Sequence, residues 1–271
     1  AIPLIAQELR SQDRDSREKA AEALSNIGRA AVPALMDALR DSDLQKDGLI
    51  CRALGHIGPD AALAVPELEE LAKSSDVGIR LYALGTLARV AKDPTEAVQT
   101  LVGFVNDKEH AAGAASQLAG AGPRAQKAGP ALLDGFQSEH GDRWSKPALA
   151  RAFGSIRYEP AIPHLIHALE DRDEEVRAAA ASALGGFGPL AAPAIPALVE
   201  RIRSDRSQMS CGVAGAAAAS LMAIGEKAVP AILGIIDLKT HSGYTGAHYM
   251  LYWMGPRAWS AVPVLLQRFG P

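Results

Sequence analysis

Ile162-Pro163-His164-Leu165, then Asp173-Glu174-Glu175-Val176-Arg177, then Ala180, Ala183-Leu184-Gly185 and Phe187-Gly188: the reading of this stretch decides the fold. Its opening phrase recurs along the chain as Ile2-Pro3-Leu4-Ile5, Val32-Pro33-Ala34-Leu35, Val65-Pro66-Glu67-Leu68, Gly129-Pro130-Ala131-Leu132, Ile195-Pro196-Ala197-Leu198, Val229-Pro230-Ala231-Ile232 and Val262-Pro263-Val264-Leu265. Val98-Gln99-Thr100-Leu101 fits the same frame with Gln99 in the proline's place. The anchors at 3, 33, 66, 99, 130, 163, 196, 230 and 263 lie 30 to 34 residues apart, so the chain is a repeat array.

The second phrase returns as Arg17, Ala20, Ala23-Leu24 and Ile27-Gly28, as Ala53-Leu54-Gly55, Ile57-Gly58, and as Asp76, Ile79-Arg80, Leu87-Ala88, Val90. Apolar residues at spacings of three and four mark amphipathic helices. A proline just inside each short segment suits a first helical turn, where its missing N–H is no loss. Glycines 28, 58, 122, 188, 225 and 255 suit the left-handed residue that ends a helix. Each unit therefore reads as a short proline-started helix, a turn carrying Asp, and a longer Ala-rich helix. One such pair cannot bury its apolar face alone, so neighbours must stack into a continuous core.

The phrase Pro-x-Leu, Asp, Val-Arg, Ala, Ala-Leu-Gly-x-Ile-Gly resembles the HEAT-repeat family, above all the short bacterial variety called phycobilisome-lyase-like HEAT repeats. The resemblance covers essentially the whole chain. It implies an all-α, right-handed α-solenoid, an α-α superhelix of about eight hairpins starting near 3, 33, 66, 99, 130, 163, 196 and 230, with a half-repeat from 263. It also implies that the proline helices lie on the convex side and the Val-Arg, Ala-Leu-Gly helices line the concave side. Helices pack 8–10 Å apart, so eight repeats predict a single domain, residues 1–271, in the form of a curved rod about 80 Å long. The array starts and ends on a proline helix without an obviously polar cap, and both ends read as cut edges of a longer assembly or polypeptide.

Composition agrees. Of 271 residues 52 are Ala and only 13 are aromatic, with 48% hydrophobic and 22% charged, a core of small side chains between close helices. The formal charge of −3 argues against a general nucleic-acid binder. Residues 1–76 hold 9 basic and 14 acidic residues while the remainder nets +2, and the acidic end could dock a basic partner. The uncharged run Ser207 to Gly225 is mostly Ala, Gly and Ser and reads as a buried helix rather than a membrane span. Around Ala111 to Gly122 the consensus Arg is lost and Gly and Ala dominate. That repeat is either the weakest link, since helical Gly costs about 0.5–1 kcal/mol, or a close packing of small residues.

The recurring Arg17, Arg80 and Arg177 and the turn residues Asp43, Asp76, Asp107, Asp142 and Asp173 serve the repeat rather than chemistry, and are expected to form a ladder of contacts between successive units. Cys51 and Cys211, five repeats apart, are about 50 Å from one another by helix spacing and cannot form a disulfide. His164 and His167 share a helix side but lack the partners of a metal motif. Gly120-Ala121-Gly122-Pro123-Arg124-Ala125 imitates a dinucleotide fingerprint, yet a helix precedes it where the motif needs a strand, so it is a helix stop. No Gly-x-Ser-x-Gly, phosphate loop or catalytic cluster is present. The reading is a protein that is not an enzyme and takes no metal or cofactor.

Aligning the longer helices gives two exposed columns: Glu22/Asn26, Arg52/His56, Gly85/Arg89, Ser116/Gly120, Arg151/Ser155, Ser182/Gly186, Ala219/Ala223 and Tyr249/Trp253. Arg52, His56, Tyr82, Arg89, Arg151, Tyr249 and Trp253 are the candidate partner-binding residues, the arginines for carboxylates and the aromatics as anchors. Tyr244, His248, Tyr249, Tyr252 and Trp253 crowd one helix, with Trp259 beyond it; this segment is either an anchor or a packing cap. The function expected is a non-catalytic scaffold that binds a protein or peptide along its concave face. The alternatives are a bilin lyase or chaperone-like protein, which the family resemblance suggests, and a DNA-binding solenoid, which the charge opposes. Free cysteines slightly favour the cytoplasm.

Overall fold

The computed structural model describes residues 1–41, 44, 48–138, 145–204, 212–235 and 241–269, and among them the regular structure is helical, with no strand. Asp43, Asp142 and Cys211 lie outside the described residues. The chain divides into two compact units, Ala1–Gly141 and Asp142–Pro271.

The first unit runs α1 (Ile2–Glu8), α2 (Arg14–Ile27), α3 (Val32–Leu39), α4 (Leu49–Ile57), α5 (Val65–Leu71), α6 (Val77–Val90), α7 (Thr95–Gly103), α8 (Ala111–Ala121) and α9 (Gly129–Gln137). The second runs α10 (Ser145–Ile156), α11 (Ile162–Ala168), α12 (Glu174–Gly186), α13 (Ile195–Ser204), α14 (Gly212–Ile224), α15 (Val229–Ile235), α16 (His241–Met254) and α17 (Val262–Phe269). Within each unit the longer, second helices pack side by side in chain order: α2, α4, α6 and α8 in the first, α10, α12, α14 and α16 in the second. This is the all-α solenoid that the repeat predicts.

The repeat phrase explains the core directly. Leu35, Leu68, Leu101, Leu132, Leu165, Leu198 and Ile232, the apolar residues two after the seven internal anchors, are all 0% exposed. Leu24, Leu54, Leu118, Leu184 and Leu221 do the same on the second helices. Fully burying each such side chain contributes about 1.5–3 kcal/mol, so one residue type at one position carries much of the stacking. The prolines between them stay exposed because their rings sit at the helix start, away from the interface.

Three second helices, α2, α6 and α12, start on aspartate. Asp13 accepts from the Ser16 N–H at 2.9 Å, Asp76 from the Ile79 N–H at 3.1 Å, and Asp173 from the Glu175 N–H at 2.8 Å, relieving donors that the first turn leaves orphaned. The helices α2, α4 and α8 end on glycine, though not in the left-handed helical conformation the sequence suggests. Gly28 and Gly58 combine φ of 75° and 70° with ψ of −142°, a region that a Cβ forbids. The longer links that follow are 3-10 helices, Gly58–Ala64, Gly122–Ala128, Gly188–Ala194 and Gly255–Ala261, each burying two alanines.

Of the residues expected to ladder between repeats, Asp76 and Asp173 cap their own second helices, and the arginines contact mainly their own turns. The Arg17 Nη1 donates to the Ser11 and Gln12 carbonyls at 3.0 and 3.3 Å, and the Arg177 Nη1 to those of Asp171 and Arg172 at 2.8 and 3.0 Å. Both arginines thereby clamp the turn inside their own repeat. Arg80 instead crosses to the next repeat, its guanidinium 5.2 Å from the Phe104 ring centre. Ion pairs between successive repeats are carried by other residues, Arg10 with Asp41 at 3.3 Å, Arg40 with Glu67 at 2.9 Å and Lys146 with Asp171 at 3.2 Å. Two buried hydroxyls add a device of their own. Thr86 donates to the Cys51 carbonyl at 3.0 Å and Ser220 to the Ala181 carbonyl at 2.6 Å, tying α6 to α4 and α14 to α12 at equivalent repeat positions.

Among the described residues one stretch, Gly212–Ile235, is long and apolar enough to cross a membrane. It is not a single helix, because Gly225 at φ 83° breaks it into α14 and α15 with a 3-10 turn carrying Glu226 and Lys227.

Candidate functional site

The second helices expose the columns that the alignment predicts, at Glu22, Asn26, Arg52, His56, Ser116, Gly120, Arg151, Ser155, Ser182, Gly186, Ala219, Tyr249 and Trp253. The exceptions are Ala223, which is half-buried, and the α6 pair. Gly85 is buried and Arg89 is half-buried, because both lie under or across neighbouring side chains.

Arg89 occupies a trough floored by glycine. A Cβ on Gly55 of α4 would stand 2.8 Å from the Arg89 Cζ, and one on Gly120 of α8 would stand 3.4 Å from it. Gly85 lies beneath the Gln117 side chain, 2.7 Å from its Cβ by the same measure. The missing Cβ of Gly55, with Gly120 at ordinary contact distance on the other side, lets one guanidinium lie across three adjacent helices. The Arg89 Nε donates to the Gly85 carbonyl at 3.0 Å and its Nη2 to the Gln117 Oε1 at 3.3 Å. Burial pushes the Arg89 pKa below its ordinary value, while the nearby Cys51 opposes that shift. Cys51 beneath is itself pushed up to about 11, chiefly by burial against hydrogen bonding from Thr86 and the charge of Arg89, so it is a neutral thiol at physiological pH.

Beside this trough Arg52 and His56 are exposed on α4, on either side of Gly55 in sequence, with no hydrogen bond or ion pair among the described residues. Tyr82, 36% exposed, lays its ring against Gly48 at the start of α4, where an added Cβ would stand 2.7 Å from it. The first unit thus brings Arg52, His56, Tyr82 and Arg89 onto two neighbouring helices. In the second unit Arg151 is engaged, 3.6 Å from the Glu175 carboxylate of α12. Tyr249 and Trp253 on α16 form a tilted ring pair at 5.7 Å, Tyr252 joins them edge-on at 6.1 Å, and Trp259 is 73% exposed nearby in sequence. α12 and α14 separate Arg151 from that aromatic group.

A cavity of about 400 Å³ lies elsewhere in the first unit, lined by Asp93, Pro94, Thr95, Val98, Gln99, Val102, Arg124 and Lys127. It exists because the third repeat has Ala91-Lys92 where others have Gly-Pro, so α7 starts early at Thr95 in place of a 3-10 link. Arg124 closes one side by donating to the Ala91 carbonyl. Among the described residues no group of three His, Cys, Asp or Glu converges as a metal site, and His167 is exposed on α11. Gln117 and Gly55 lie outside the aligned columns, whereas Gly85 and Gly120 lie within them. The available signal was glycine on the second helix in three consecutive repeats, at 55, 85 and 120.

A family model for HEAT repeats matches residues 2–77, 32–119 and 129–210. Among curated proteins none matches the sequence. Solved structures similar in fold include the complex of CpcE and CpcF of phycocyanin lyase from Nostoc sp. PCC7120, at 21% identity and TM-score 0.55, with 94% of each chain covered. Kap121p bound to Nup53p aligns at 13% identity and TM-score 0.61 over all of this chain, which spans 34% of Kap121p. Importin beta aligns at 14% identity and TM-score 0.56, again over all of this chain and 44% of the other. At these identities the likeness is one of fold.

Proposed function

We propose, from the premise that this chain belongs to the HEAT-repeat family, that it is a non-catalytic scaffold which binds a protein partner along the face of its second helices. One observation carries this reading: on that face Arg52, His56, Tyr249 and Trp253 are exposed and make no hydrogen bond or ion pair among the described residues, while Arg89 lacks a carboxylate. Charged and aromatic side chains presented from helices, whose backbone is already ordered by the fold, are what dominates protein interfaces. Kap121p bound to Nup53p and the CpcE–CpcF complex support it by analogy, since each is a helical-repeat chain in a complex with another protein.

Site-specific photo-crosslinking tests the reading. A benzophenone side chain placed singly at Asn26, Ser116 or Ser182 on second helices, or at Glu70, Gln99 or Glu200 on first helices, should capture one protein from the second-helix set only. Equal capture from both sets, or from the first-helix set alone, refutes it.

A further inference from the structure

Arg89 presents an unusual electrostatic situation. Its guanidinium is half-buried, cannot deprotonate at physiological pH, and forms no ion pair among the described residues. Burying a charge without a counter-charge is costly, and a chain that only needed to fill the trough between Gly55 and Gly120 would do so better with an uncharged side chain. Its two hydrogen bonds use neutral acceptors, the Gly85 carbonyl and the Gln117 amide oxygen, and both hold the fork in place. Among the described residues the Nη1 edge has no protein acceptor. The four second helices of this unit carry one acid in the exposed columns, Glu22, and it pairs with none of the arginines.

We propose that Arg89, with Arg52 and His56 beside it, is the receptor for a carboxylate side chain on an acidic protein segment. The proposal rests on the scaffold reading above and names the chemistry of the partner. A fixed guanidinium edge meets a planar carboxylate through two parallel N–H···O bonds, and a half-desolvated site strengthens such a pair. Tyr82 on the same face supplies apolar contact suited to a polypeptide. The first unit holds 15 basic against 20 acidic residues, so its general field repels a polyanion and leaves Arg89 as a local positive spot. That pattern fits one or two carboxylates and opposes a nucleic-acid backbone.

The test follows the Arg89 Nε–H resonance of the full chain at low salt. The probes are an acetylated six-residue peptide carrying two glutamates and a tyrosine, the same peptide with glutamines, inorganic phosphate, and a single-stranded oligonucleotide. The glutamate peptide should move the Arg89 signal, and the glutamine peptide should not. Arg89→Lys, which keeps the charge but loses the fork, should weaken the glutamate peptide at least tenfold. Gly55→Ala should do the same with the arginine intact, because the new methyl displaces the guanidinium by its flexible end, and it should leave the thermal midpoint unchanged or raised. A still Arg89 signal, an equal response to the glutamine peptide, or a response to phosphate or oligonucleotide alone overturns the proposal. Crosslinking from Asn26 and Ser116 that persists alongside such a result leaves the scaffold reading standing and removes only this one.

Discussion

Replacing Gly154 by alanine should destabilise the second unit, although alanine is the better helix former. Gly154 is buried in α10, and a Cβ there would stand 2.5 Å from the Ala183 carbonyl oxygen and 2.9 Å from its Cα on α12. The contact is reciprocal, since a Cβ on Gly186 would stand 2.8 Å from the Gly154 carbonyl oxygen. Both neighbours are backbone, so neither can rotate away, and reaching ordinary contact at 3.4 Å requires the helices to part by about 0.9 Å. Overpacking of this kind costs about 1–3 kcal/mol, and the gain in helix propensity returns at most about 1 kcal/mol. The net expectation is a loss of about 1–2 kcal/mol. Guanidinium unfolding of the full chain, followed by helical circular dichroism, should show a lower midpoint at unchanged slope. Hydrogen exchange should place the loss in α10 and α12, because repeat arrays lose stability locally. Gly103→Ala is the control: nothing lies within 4 Å of its Cβ, so it should be neutral or stabilising by up to about 1 kcal/mol. Gly154→Ala with a midpoint at or above the parent's would refute the argument from backbone contact.

Three further outcomes follow from the same structure. Ser220→Ala should cost about 0.5–1.5 kcal/mol by removing the buried bond to the Ala181 carbonyl, and the loss should appear as faster exchange in α14; no change in either would show the bond to be energetically silent. Asp76→Ala should cost about 1 kcal/mol through the lost helix cap, with Asp76→Asn retaining most of the stability; equal losses in both would point away from capping. Acid should destabilise the fold in a defined window. The pKa of Asp13 is lowered chiefly by its hydrogen bonds from Ser16, that of Asp93 by those from Thr95 and that of Asp107 by that from His110, while at Asp171 burial is outweighed by the Asp173 N–H and Lys146. Depressed carboxylates contribute stability above their unfolded pKa of about 4, which is lost as pH falls through the lower folded values. The unfolding midpoint should therefore hold between pH 7 and pH 5 and drop at pH 3, and a flat profile would contradict this.

Much of the architecture was legible because a repeat states its own constraints many times. The Pro-x-Leu phrase places a leucine or isoleucine at the same depth in seven repeats, and each is fully buried. The exposed columns on the second helices were likewise readable from a period of 3.6 residues. The face departs from that reading at Gly85, Arg89 and Ala223, and the exposed Arg151 is already paired with Glu175. These features depend on what a neighbouring helix places there or leaves out. No pattern within α6 tells that Gly55 and Gly120, some thirty residues to either side, leave the space into which Arg89 folds.

The amino-acid order by itself settled the helices, their pairing and the buried leucines, because each is set by residues within one repeat and then copied. The folded chain alone decided which polar groups on the shared face are already engaged. It decided too how closely α10 approaches α12, and that one guanidinium lies between three helices without a counter-charge. Such features arise from side chains of different repeats meeting across an interface, and their energy depends on distances that only packing fixes.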